Sequence, residues 1–181
     1  ILSTLGNYYK IEINGNNYLN FVIPGIIIMV VMQTSYNHLS EVIISMKQIG
    51  SFNDYLISPI SRVEILFSLI FSSITVSMIV GLINLLVLSI FSNFNEIIYF
   101  NLFYYLFLTT IIFSSIGAIT GFLSYTWDIQ STISSLVIIP VSFFSGTFFS
   151  IDSLDNQWKF IFIYNPIYYL VEGFRGSFIK S

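Results

Sequence analysis

The side chains able to do chemistry in this chain are few and far apart. Its only histidine is His38, it has no cysteine, and its nine carboxylates are scattered over 181 residues. A lone histidine without a carboxylate in the same stretch lacks what a nucleophile–base–acid set needs. It reads as an interfacial residue rather than a proton relay. With one histidine and no thiol, neither a histidine-rich nor a thiolate metal site can be assembled. Asp152 and Asp155 are three apart, but they flank a helix start, where capping is the better use of a carboxylate. Glu172 and Arg175 are also three apart, so they pair on one helix face; the alternative is that Arg175 anchors its segment to a further span. There is no G-x-x-x-x-G-K-[ST] loop and no Gly-Lys dipeptide, so no ATP site is encoded. No catalytic residue, metal ligand or cofactor is assigned.

Polar residues inside apolar stretches carry the remaining chemistry. Gln33, Asn37 and Asn84 lie in or near long apolar runs. Such groups either line a path for a solute or, more often, hydrogen-bond a neighbouring helix.

The elements that hold these residues are membrane spans. No charged residue occurs in 65–95, 97–127 or 129–151, and residues 19–40 are also uncharged. A hydrocarbon core of about 30 Å needs roughly 20 apolar residues in helix. Apolar residues make up 55% of the chain and charged residues 8%, about a third of the share in a soluble domain; the mean hydropathy is +0.84. Six basic residues and a net charge of −3 give nucleic acid nothing to bind. The chain starts at Ile1 in a short apolar stub and reads as an internal part of a longer protein.

The expected organisation is all-α, with four spans: a polar loop over 1–20, then spans over 21–40, 63–91 and 98–125, and a kinked one over 131–150. Pro24 is placed in the first turn of its helix. Pro140 and Gly146 predict a kink or break in the fourth span. Gly117 and Gly121 form a small-xxx-small pair that lets helices approach closely. Between the first two spans, residues 41–62 hold the one long charged interruption. Ile49, Phe52 and Leu56 there fall on one helical face, with Lys47 and Asp54 mostly off it, which predicts an amphipathic interfacial helix. Ser58-Pro59 closes that helix, and Ser61 with Glu64 forms a capping box for the next span. Residues 152–178 are two short pieces separated by Asn165-Pro166, an N-cap followed by proline. They predict a re-entrant or interfacial hairpin.

Three patterns in this order resemble the membrane subunit of a type-2 ABC exporter, a transport permease. The first runs from Gly50 through Asp54, Ser58-Pro59 and Arg62 to Glu64. The second is Pro140 followed by Ser145-Gly146-Thr147-Phe148-Phe149. The third is Asn165-Pro166 followed by Glu172-Gly173-Phe174-Arg175. The resemblance covers about residue 18 to the end, and it implies a fragment of a six-span permease in the bacterial cytoplasmic membrane. It also implies that 41–62 is cytoplasmic and contains the coupling helix, and that the hairpin is external. A bare count of basic residues gives the opposite orientation. A separate ATPase chain would bind ATP and dock on Lys47 and the Ile49/Phe52/Leu56 face, with a second permease copy, identical or paired, completing the path. A non-transporting membrane scaffold with the same spans is the alternative.

Overall fold

The computed structural model describes residues 12–13, 16–90, 97–148 and 162–178. Asp152, Asp155 and the first part of the expected hairpin lie outside the described residues, as does most of the loop over 1–20. A two-residue antiparallel pair, β1 (Glu12–Ile13) with β2 (Asn16–Asn17), precedes the first helix. Everything else that is regular is helical.

Helix α1 (Tyr18–Ile49) is 32 residues long and runs well past the span expected over 21–40. Pro24 therefore lies inside the helix rather than in its first turn. The polar stretch expected to end the span does not break it. Thr34, Ser35 and Ser40 turn their hydroxyls back onto the carbonyls of Val30, Val31 and Tyr36, four residues earlier, so they present little free polar surface. The helix ends only at Gly50, whose φ of 85° is the left-handed conformation that glycine adopts without strain.

The expected interfacial helix is thus split. Ile49 closes α1, and a separate short helix, α2 (Phe52–Ile57), follows. Ser58 ends α2 in an extended conformation before Pro59. The capping box then forms: Ser61 Oγ accepts from Glu64 N at 3.2 Å, and Ser61 N donates to Glu64 Oε2 at 2.9 Å. It starts α3 (Arg62–Ser89), and α4 (Tyr99–Leu123) comes next.

Three helices, over Asn20–Ile49, Arg62–Ser89 and Tyr99–Leu123, are long and apolar enough to cross a membrane. The fourth expected span is not one long helix. It is composed of α5 (Trp127–Ile133), a π-helical segment (Ser134–Ile138) and α6 (Ile139–Phe143). Pro140 has no N–H to give the preceding turn, and the widened segment sits directly ahead of it. The run stops in a turn where Gly146 has φ 78°. Helix α7 (Pro166–Arg175) is short, with Asn165 Oδ1 accepting from Ile167 N at 3.0 Å as its N-cap.

Helix α1 is the central strut. It packs on α3, α4 and α7, and its buried Ile27, Ile28, Val31, Met32 and Tyr36 join Leu106 and Phe113 of α4 and Phe174 of α7 in one core. The α1–α4 contact is close because of Gly117: a Cβ there would stand 2.5 Å from the Tyr36 carbonyl oxygen. On the other side, Ser73 Oγ donates to Ser35 O at 3.0 Å and ties α3 to α1.

Candidate functional site

Three polar anchors are spaced along α1, and each is built by a different neighbour. At its C-terminal end, Lys47 Nζ donates to the carbonyls of Gly121, Phe122 and Ser124 at 2.8, 2.6 and 3.1 Å. The last turn of α4 leaves carbonyls without helical donors, and a cation there also meets the negative end of the helix dipole. The ammonium lies 5.5 Å from the Tyr125 ring centroid. Beside it, Trp127 Nε1 donates to Gln48 Oε1 at 2.5 Å. Lys47 is therefore turned onto the bundle, away from the surface on which a docking role was expected for it.

The other residues expected to dock separate into two groups. Phe52 turns inward and meets Phe122 edge-on, with ring centroids 6.1 Å apart. Ile49 is 77% exposed and Ile57 82% exposed, and Asp54 is exposed too. The side chain of Leu56 lies outside the described residues. Apolar surface of this kind at the end of a bundle marks a membrane or protein contact.

The middle anchor includes Asn37. Gln130 Nε2 donates to Asn37 Oδ1 and to Ser40 Oγ, both at 3.1 Å, and Ser134 Oγ donates to Asn37 Oδ1 at 3.2 Å. Gln130 is only 4% exposed. The network joins α1 to α5 and to the first residue of the π-helical segment. Gln33 is half-buried one turn away on α1. Asn84 Nδ2 bonds its own helix at Val80 O, 2.9 Å. Gly81 packs on Val31, so Asn84 sits farther along α1, and the three residues expected to line a path do not converge.

The third anchor is Arg175, 2% exposed. Its Nε donates to Phe21 O at 3.1 Å, one terminal nitrogen to Gly146 O at 2.9 Å, and the other to Glu172 Oε2 at 2.6 Å. The guanidinium carbon stands 3.7 Å over the Phe21 ring. Burial pulls the Arg175 pKa down from its ordinary value, and the Glu172 carboxylate pulls it back up; the guanidinium stays charged. Arg175 thus ties α7 to the start of α1 and to the turn after α6, rather than to a further span. Asn165 Nδ2 adds a bond to Phe144 O at 3.1 Å, and Ile98 N donates to Ser177 O at 2.9 Å, joining α7 to α4.

Sequence reasoning missed Gln130, Gln48 and Phe21 as partners. The available signal for Gln130 was a full amide at the head of an apolar run; for Phe21 there was none, since it offers only its backbone and its ring. Among the described residues, no three of His, Asp and Glu gather in a group that could hold a metal.

The three apolar helices, with α2 between the first and second, make this a multi-pass membrane protein, and comparison with known proteins gives its relations. The family model described as ABC-2 type transporter matches residues 3–179. The inner membrane transport permease YadH of Escherichia coli K12 is 25% identical over 168 residues, covering 93% of this chain and 66% of that protein. The YadH proteins of Escherichia coli O157:H7 and Shigella flexneri match to the same extent. The chain therefore spans just under two thirds of the length of these relatives. No solved structure matches it. A family match over nearly the whole length, on a chain with this order of spans and caps, means that it belongs to the ABC-2 type transporter family.

Proposed function

We propose that this chain forms the membrane part of a permease that moves substrate out of the cell, driven by an ATPase on a separate chain. A second permease copy shares the pathway. The carrying observation is the break at Gly50, which sets α2 apart at the end of the bundle with Ile49 and Ile57 exposed. In this reading, the outer face of α2, including Asp54, receives the ATPase. Phe52, against Phe122, passes its movement to α4, and Lys47 makes α1 and α4 move together. Residues 127–143 supply about 25 Å of helix, which with the turn after Phe143 makes the fourth crossing. Segment 162–178 is the returning arm of an external re-entrant hairpin. The YadH relatives, named as inner membrane permeases, support a place in a bacterial inner membrane.

The exposed apolar face of α3, including Phe67, Phe71, Ile79 and Ile83, is left for lipid or the second copy.

Orientation is tested by labelling. The chain has no cysteine, so Ile49→Cys and Tyr164→Cys, both at exposed positions, can be treated with an impermeant maleimide in intact cells. Label is expected at 164 and not at 49; the reverse would invert the topology. Docking is tested by co-purification from the full-length permease. Ile49→Ala with Ile57→Ala removes side chains whose full burial against a partner contributes up to about 1.5–3 kcal/mol each. More than tenfold less ATPase should be recovered. Unchanged recovery would favour the scaffold reading.

A further inference from the structure

We infer that a cavity between α1, α2, α3 and the end of α4 binds one anionic phospholipid, with an acyl chain inside and its phosphate on Arg62. The cavity measures about 190 Å³ and is walled by Met46, Phe52, Leu66, Leu69 and Phe122, with Arg62 as its one charged lining residue. An apolar cavity of about 150 Å³ is already enough to hold a benzene. This one fits a stretch of a single hydrocarbon chain.

Its position favours a lipid. It lies where α1 ends and α3 begins, at the level marked by the exposed Tyr125 and Trp127, aromatics suited to the headgroup layer. Leu66 lines the cavity and is also exposed on the outside of α3, the least buried of the three spans. The cavity is therefore reached from the bilayer side.

Charge selects the headgroup. Arg62 is exposed and has no ion pair among the described residues. The nearby Glu64 carboxylate is held by Ser61 in the capping box, and the Lys47 ammonium is spent on three carbonyls. Of the cations at this end, Arg62 is the one with donors to offer a phosphate. Asp54 lies on the exposed part of α2 and does not line the cavity. A bound lipid would brace α2 against α3, because Phe52 and Leu69 wall the same space. This inference needs only the membrane setting, not the proposed ATPase.

The test uses the full-length permease in phosphatidylcholine nanodiscs doped with a lipid carrying a photoreactive diazirine in its acyl chain. Phosphatidylglycerol should label the peptides holding Met46 and Leu66–Leu69 about fivefold more than phosphatidylcholine, the factor expected for one basic residue facing an anionic headgroup. Arg62→Gln should erase that preference without changing the fold, since the side chain is exposed. Leu69→Trp, which fills the cavity, should remove labelling by both lipids; Leu69→Phe serves as a milder version if the first fails to fold. Millimolar inorganic phosphate should not compete. Equal labelling by the two lipids, or a preference that survives Arg62→Gln, would overturn the inference. So would labelling that appears only after a partner protein is stripped away, because a protein side chain would then be the occupant.

Discussion

The two ends of α1 are both fastened by a cation that collects backbone carbonyls, yet they are fastened differently. At one end Lys47 caps the last turn of α4 from a half-exposed position, with rotatable donors on a flexible stem. At the other, Arg175 is buried and its planar fork reaches three separate elements. The two lie about 39 Å apart along the helix axis. A lysine can follow a helix end that shifts; an arginine held in three directions cannot. The Lys47 end is built to yield and the Arg175 end to stay fixed, which suits a lever that is driven from one side.

The largest effect should come from breaking the fixed end. Arg175→Ala leaves the Phe21 and Gly146 carbonyls buried and unpaired, and should destabilise the detergent-solubilised protein by about 3 kcal/mol. Arg175→Lys should rescue little, because a single ammonium cannot reproduce the fork. Melting curves of the purified protein read both; a lysine variant as stable as the parent would show that the geometry of the fork is irrelevant.

Next in size is the seam on which both ends depend. Gly117→Ala puts a methyl group against the Tyr36 carbonyl and should cost about 1–3 kcal/mol through overpacking. The same melting assay decides it, and a neutral outcome would mean that α1 and α4 slide apart freely.

The middle anchor gives a smaller effect. In a double-mutant cycle, Asn37→Leu and Gln130→Leu should couple by about 0.6–1.7 kcal/mol, the range for hydrogen bonds between membrane helices. Additive losses would remove Asn37–Gln130 as a direct link.

The yielding end should give least. Lys47→Met should lower global stability by no more than about 1 kcal/mol, while speeding hydrogen exchange of the backbone around 120–124 several-fold. If Lys47→Met proved as damaging as Arg175→Ala, the contrast between the two ends would collapse.

What the sequence made legible was local or periodic. Uncharged runs located the three long helices, because the bilayer demands them whatever their neighbours are. The capping box at Ser61 and the Asn165-Pro166 cap are contacts over two or three residues, and both form as their patterns require. The extent of α1 was less legible: its polar middle resembles a terminus until Gln130 and Ser134 are brought to Asn37 across more than ninety residues. The docking stripe was misjudged for a similar reason. Ile49, Phe52 and Leu56 share a face only if the helix is continuous, and one left-handed glycine between them rotates Phe52 inward. The partners of Arg175 were invisible, since two of them are backbone oxygens that no residue type announces.

The π-helical segment over 134–138 has a consequence for how this chain tolerates insertions and deletions. It accommodates one residue more than an α-helical turn would hold. Removing a single residue there would restore ordinary winding locally, at little apparent cost. Every position beyond it would turn by about 100° relative to α5. Ser142, Ser145 and Thr147, now buried beside α1, would swing away from it and carry the Gly146 carbonyl off Arg175. The extra residue is a phase setting for the far end of the molecule, and a length change in this helix would be felt first at a site that the changed residues never touch.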